Sequence, residues 1–185
     1  MRKVAPQALL VLLLMCFAIS STAQSGGNLA SSVGLSGGYV EDGYGGMVTF
    51  NFHPDRYKYF QVSILAAFAE DKGSSDIPYN IFTIQPGLFY RVYISPKRKN
   101  FSVHLGGGGL FGYEIINNGS KELPSGAIID GRSQFIYGLF AGAEAEVAIS
   151  NDFSILVKAN EYYHINSDVG SFYPYVGAGL RYFLF

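Results

Sequence analysis

Tryptophan is absent from this 185-residue chain, cysteine occurs once, and charged side chains make up only 15%. A soluble domain devotes about 25% of its residues to Asp, Glu, Lys and Arg, so an ordinary water-facing surface is ruled out. The single cysteine, Cys16, lies in an N-terminal apolar stretch. Without that stretch no cysteine remains, which excludes a disulfide framework and a cysteine metal site. Also missing is the run of about 20 apolar residues that a membrane-spanning helix needs. A formal charge of −1 provides no basic footprint, so no direct nucleic-acid binding is expected. What the chain does have is Gly (23), Phe (15) and Tyr (14), within a hydrophobic fraction of 49%. Apolar excess without a spanning helix points to β-strands with one face against something greasy.

At the N-terminus Arg2 and Lys3 precede a charge-free apolar run from Ala8 to Ile19, and Ser21-Thr22-Ala23 places small residues before Gln24. That is the layout of a cleaved secretory signal. It divides the chain into a signal peptide over residues 1–23 and one domain over residues 24–185. A retained anchor and a lipidated Cys16 are the alternatives. The run is short for an anchor, and Met15 stands where a lipoprotein signal wants a small residue.

Period-two alternation dominates the remainder, with no linker and no internal repeat. It predicts eight strands, over about residues 29–40, 46–53, 58–69, 79–94, 101–115, 133–149, 153–164 and 172–185. The connections after strands two, four and six are short. Those after three, five and seven are longer and polar, the longest running from Asn117 to Arg132. An even strand count with short turns at one end and longer loops at the other is the pattern of an outer-membrane barrel. The fold class is therefore all-β, an eight-stranded antiparallel transmembrane β-barrel with both termini at the short-turn, periplasmic end.

Two strands set the polarity. In the sixth, Phe135, Tyr137, Leu139, Ala141, Ala143, Ala145, Val147 and Ile149 share one face, and Gln134, Gly138, Gly142, Glu144 and Glu146 share the other. In the fourth, Phe82, Ile84, Leu88, Tyr90, Val92 and Ile94 oppose Thr83, Gln85, Gly87, Arg91 and Tyr93. A soluble barrel would turn the second face to water and load it with charge. Here it carries glycine and isolated charges, which suits a narrow packed interior inside an apolar belt. Tyr57, Tyr59, Phe60, Tyr93, Phe101 and Phe153 group near the short turns. Tyr79, Phe82, Tyr113, Phe135, Tyr137 and Tyr163, with Phe172 and Tyr173, group near the long loops. Two aromatic girdles are expected where a barrel meets the two interfaces.

Five charges fall on the inward face: Arg91, Glu144, Glu146, Lys158 and Arg181. A low-dielectric interior makes unpaired charge costly, so they should pair, either as a structural plug or, alternatively, along an ion or substrate path. His53, His104 and His164 are scattered over three strands without metal-ligand spacing. Ser102, His104 and Glu144 are the residues from which a hydrolytic set would be drawn in a membrane lipid hydrolase. The Gly106–Gly109 run lacks the Lys-Ser/Thr of a phosphate loop and sits inside a strand. No catalytic residue, cofactor or metal is expected, and the chain does not read as an enzyme.

The C-terminal strand, Tyr175-Val176-Gly177-Ala178-Gly179-Leu180-Arg181-Tyr182-Phe183-Leu184-Phe185, resembles the terminal-strand signal read by the outer-membrane insertion machinery. Tyr175, Gly177, Leu180, Tyr182 and Phe185 are its marker positions, although strict alternation from Val176 leaves Phe185 on the inward register. With the stretch Gly112-Tyr113-Glu114-Ile115-Ile116-Asn117-Asn118-Gly119, the segment Ser125-Gly126-Ala127 and Phe135-Ile136-Tyr137-Gly138, it also resembles the TraO family of conjugative-transposon transfer proteins of Bacteroidetes. The resemblance is clearest over Gly112–Phe185. It implies an envelope component of a conjugative DNA-transfer apparatus encoded beside a type IV secretion system. Partners would be outer-membrane lipid, the insertion machinery and other transfer proteins. A stand-alone structural or adhesive barrel is the alternative reading, and a lipid-modifying enzyme a further one.

Overall fold

Large apolar side chains that alternate with glycine and small polar ones suit a strand whose two faces meet different surroundings. In the computed structural model, which describes residues 30–71, 77–96, 100–120 and 133–184, that pattern yields eight strands. They are β1 Ala30–Val40, β2 Gly43–His53, β3 Lys58–Asp71, β4 Ile77–Ile94, β5 Phe101–Ile116, β6 Gln134–Ala148, β7 Phe153–His164 and β8 Phe172–Leu184. The expected leader, residues 121–132 of the longest loop and Phe185 lie outside the described residues.

Each strand pairs antiparallel with the next, and β8 returns to β1, from Ser31 opposite Leu184 to Val40 opposite Tyr175. The sheet is a closed barrel with no free edge. The shortest strands, β1 and β2, have 11 residues, which is long enough to cross a hydrocarbon layer when tilted. On the outside stand Leu35, Phe111, Leu139, Val157, Val176 and Leu180, all strongly exposed. Inside lie Thr49, Asn51, Gln61, Gln85, Glu144 and Lys158, all buried. The apolar face points out and the polar face in, the inverse of a soluble barrel.

Side chains close the turns. In the β2–β3 connection Asp55 Oδ1 accepts from the backbone N–H of Tyr57 at 2.7 Å and of Lys58 at 3.0 Å. In the β6–β7 connection Ser150 Oγ accepts from Phe153 N–H at 3.1 Å. At the opposite end β1 and β2 are joined by Glu41-Asp42 alone, with Asp42 at φ 56°, a left-handed position that Asp tolerates. Strands β3 and β4 run on to Asp71 and from Ile77, so their connection is only residues 72–76. The expected contrast in loop length therefore rests on the connections after β5 and β7.

Two expected placements are corrected. The β4–β5 register shifts between Arg91 and Tyr93, so Val92 is an inserted residue that reverses the alternation after it. Tyr93 thereby turns outward and stacks edgewise on Phe101 at 6.0 Å, while Ile94 joins the lining of the barrel mouth. Among the girdle aromatics, Tyr59, Tyr79 and Tyr173 are buried inside instead, because they occupy inward registers. Phe60, Phe82, Phe135 and Phe172 do face outward, while Tyr57 is exposed in the β2–β3 turn at the mouth of the barrel.

The interior is packed by setting rings over glycine. A Cβ on Gly106 would lie 2.5 Å from Phe89 Cγ, and one on Gly87 would lie 2.6 Å from Phe140 Cζ. Phe89 stacks on Tyr59 at 5.4 Å with an interplanar angle of 2°, and lies 6.3 Å from Phe140. An eight-stranded barrel leaves an interior just wide enough for such filling. Gly106→Val should therefore overpack the lumen and destabilise the barrel by about 1–3 kcal/mol, read as a lower urea midpoint for the heat-modifiable folded band in detergent. An unchanged midpoint would show that both the Leu88 carbonyl and the Phe89 ring, which a Cβ at Gly106 would meet at 2.4 and 2.5 Å, can give way.

Candidate functional site

The inward charges of β6, β7 and β8 meet because Glu144 and Lys158 are register partners and the long Arg181 side chain, whose own partner on β7 is Ser154, reaches across to β6. Glu144 lies opposite Lys158 on β7, and Arg181 lies one strand further on. Lys158 Nζ is 2.5 Å from Glu144 Oε1, Arg181 Nη2 is 2.5 Å from Glu144 Oε2, and Arg181 Nη1 is 2.5 Å from Glu146 Oε2. Two anions and two cations form a neutral chain. Glu144, Lys158 and Arg181 have no exposed surface.

Neutral groups complete this chain. Tyr59 Oη donates to Glu144 Oε2 at 2.6 Å, and Gln61 Nε2 donates to Glu144 Oε1 at 2.8 Å. Gln61 Nε2 also donates to Asn51 Oδ1, its Oε1 accepts from Lys158 Nζ at 3.2 Å, and Ser63 Oγ donates to that same oxygen. The Tyr59 ring lies 5.2 Å from the Arg181 guanidinium carbon. Glu144 thus has two charged and two neutral partners, which is what a buried carboxylate needs to stay ionised. Sequence reasoning missed Tyr59, Gln61 and Asn51. The available signal was the inward alternation Tyr59, Gln61, Ser63 on β3, with Asn51 directly across from Gln61.

Arg91 does not join this chain. Its side chain turns to the short-turn mouth, where the guanidinium lies 5.5 Å from the Tyr57 ring centroid and its backbone N–H donates to Tyr57 O at 2.6 Å. The geometry holds it there because β4 is tied to the β2–β3 turn at this level. Among the described residues Arg91 makes no ion pair with Glu144 or Glu146.

Between these turns and the ion chain is a cavity of about 460 Å³. His53, Tyr59, His104, Glu146 and Phe183 form its inner wall, and Arg56, Lys58, Asn100 and Asn151 its rim. Hydrogen bonds from the turn backbone, that of Tyr57 foremost, hold the rim carboxyl of Asp55 below the usual carboxylate range. His53 bonds to Ser32 Oγ at 3.0 Å, and its ring lies 5.0 Å from Tyr59. His104 meets Tyr59 edgewise at 5.2 Å, and His164 is at the far end beside Tyr173 at 5.8 Å. Among the described residues no group of His, Cys, Asp or Glu is arranged to hold a metal ion. Ser102, His104 and Glu144 form no relay, since both Glu144 oxygens are taken by Lys158, Arg181, Tyr59 and Gln61.

At the long-loop end buried Glu114, also missed as a site residue, ties down the β7–β8 connection. It accepts from Ser167 Oγ at 2.6 Å and Asp168 N–H at 3.1 Å there, and from Gln134 Nε2 of β6 at 3.0 Å. Of the C-terminal marker residues, Tyr175 and Gly177 face inward, with Tyr175 Oη 3.0 Å from Ser36 Oγ. Leu180 and Tyr182 face outward. Phe185 is outside the described residues.

Glu144→Gln should leave two buried cations against one anion and cost about 3–5 kcal/mol. Adding Lys158→Met to Glu144→Gln should recover part of that loss, since the pair is coupled. Urea unfolding of the parent and both variants in one detergent decides the point. A single Glu144→Gln variant as stable as the parent would show that the ion chain does not hold the lumen.

The sequence profile of the conjugative transposon protein TraO matches residues 26–184, nearly the whole chain. No curated protein matches. Among solved structures, the barrel is similar to a major outer membrane protein of Thermus thermophilus, with TM-score 0.58 and 13% identity over 83% of this chain and 98% of that one. It is similar to the N-terminal β-barrel domain of Pseudomonas aeruginosa OprF, with TM-score 0.57 and 9% identity over 85% and 99%. It is also similar to Neisserial surface protein A, with TM-score 0.55 and 11% identity over 85% and 96%. At such identities these likenesses concern the fold, that of small outer-membrane barrels. The profile match reaches from before β1 to the last residue of β8, and on it the chain belongs to the TraO family of conjugative transposon proteins.

Proposed function

We propose that this protein is a non-catalytic outer-membrane component of a conjugative DNA-transfer apparatus, serving as an envelope anchor or docking point for other transfer proteins. The observation that carries the reading is the family match over residues 26–184. The apolar outer wall and the filled lumen fit the role. A barrel closed inside by Glu144, Lys158 and Arg181 has no passage for a DNA strand, so its contribution is made at its ends. Residues 1–23 serve as the signal peptide that delivers the domain of residues 24–185 to the envelope. The barrel then inserts with the short-turn end and both termini in the periplasm. Tyr175, Gly177, Leu180 and Tyr182 on the closing strand, with Phe185 after it in the sequence, are what the insertion machinery reads.

In-frame deletion of the gene from its mobile element should abolish transfer to a recipient, with recovery on complementation. Unchanged transfer would sink the apparatus role. The protein should fractionate with outer membranes and migrate faster unheated than boiled. Recovery from the soluble periplasm would overturn the membrane placement.

A further inference from the structure

Charge is sorted between the two ends of the barrel. The end that carries the β1–β2 turn has Glu41, Asp42 and Glu70, with Glu114 just inside. The short-turn end has Arg56, Lys58 and Arg91 around the cavity of about 460 Å³, together with Asp55 in its lining and Asp152 in the β6–β7 turn. A net charge of −1 conceals this separation.

The acids of the cavity lining are already engaged. Asp55 caps the backbone of Tyr57 and Lys58 and sits 3.7 Å from Lys58 Nζ. Glu146 accepts from Arg181. Among the described residues no acid pairs with Arg56 or Arg91. The Arg91 guanidinium lies 5.5 Å from the Tyr57 ring centroid at the edge of this cavity. Asn100, Ser102 and Asn151 add neutral polar groups to the same wall.

We propose that this cavity is a docking socket for an acidic peptide segment of a periplasmic partner, gripped by Arg56 and Arg91. The proposal rests on the reading above, in which the short-turn end faces the periplasm and the protein docks transfer machinery there. A guanidinium group favours carboxylates because its planar fork matches carboxylate geometry. A lipid phosphate is the poorer occupant, since the cavity opens at the barrel mouth, inside the ring of strands, while lipid lies against the outer wall. The chain's own residues 24–29, Gln-Ser-Gly-Gly-Asn-Leu, adjoin Ala30 of the cavity wall but carry no acid.

The test uses the full-length barrel in uncharged maltoside micelles and a dye-labelled octaglutamate peptide, followed by fluorescence anisotropy. Saturable binding is expected, weakening as salt screens the contact. Arg56→Gln and Arg91→Gln should each reduce affinity about fivefold, and Glu41→Gln at the other end should leave it unchanged. If Arg91→Gln does not fold to the heat-modifiable form, Arg56→Glu on the exposed turn replaces it and should abolish binding. Absent binding, or binding indifferent to these substitutions, overturns the proposal. So does an equally charged oligothymidylate that binds as tightly, or a preference for phosphatidylglycerol nanodiscs over the peptide. In cells the two readings separate. Transfer that survives gene deletion refutes the apparatus role while leaving peptide binding intact. Transfer lost on deletion but fully restored by an Arg56→Gln/Arg91→Gln protein that binds no peptide refutes this socket alone.

Discussion

A backbone N–H in hydrocarbon has no water to bond, so a sheet at membrane depth must close on itself. The pairing of β1 with β8, from Ser31–Leu184 to Val40–Tyr175, meets that requirement. The rest of the interior follows from closing at eight strands. So few strands leave a lumen only as wide as its own side chains, and every inward position must share that space. Gly87 and Gly106 give way to the rings of Phe140 and Phe89. The small residues are thus the complement of the large ones, set on a neighbouring part of the wall.

The same narrowness governs the charges. Inside so small a barrel a lone carboxylate or ammonium is costly to bury. The register that places Glu144 beside Lys158, with Arg181 reaching both Glu144 and Glu146, makes the set neutral. Tyr59 and Gln61 then supply the remaining hydrogen bonds. A neutral centre, in which Arg181 Nε is buried without a partner among the described residues, offers no unbalanced charge to draw an ion through. It acts as a wall between the two mouths, and each mouth is free to carry its own chemistry.

Strand count and facing are legible in the sequence because period-two alternation survives wherever lipid lies on one side. The sixth strand shows it from Phe135 to Val147, and the structure keeps every one of those faces. Val92 is not legible: an inserted residue reverses the alternation only by reference to its partner strand, so alternation alone assigns Tyr93 and Ile94 to each other's faces. Arg91 stands apart from the ion chain for a related reason. Its register is inward, but its depth, set by the β2–β3 turn, puts it at the mouth. The lumen partners Tyr59 and Gln61 look like ordinary strand residues, and only the closed sheet brings β3 across to Glu144 on β6. Tyr59, Tyr79 and Tyr173 pass for girdle members because composition counts aromatics without their facing.

A plugged barrel in a transfer family raises the question of what the membrane-spanning part contributes. Its wall is apolar and its centre is filled by the ion chain, so the surfaces left to meet other proteins are at its ends. At one, a buried carboxylate, Glu114, fixes the β7–β8 connection through Ser167 and Asp168. At the other, basic side chains surround a cavity whose own acids are occupied. Sorting charge this way brings no gain to the fold, because surface charges at opposite ends of the barrel are screened from one another. It does bias which surfaces meet: like charge repels and opposite charge steers encounter. On the proposed orientation, the basic mouth is presented to the periplasm, where the other transfer proteins would have to reach it.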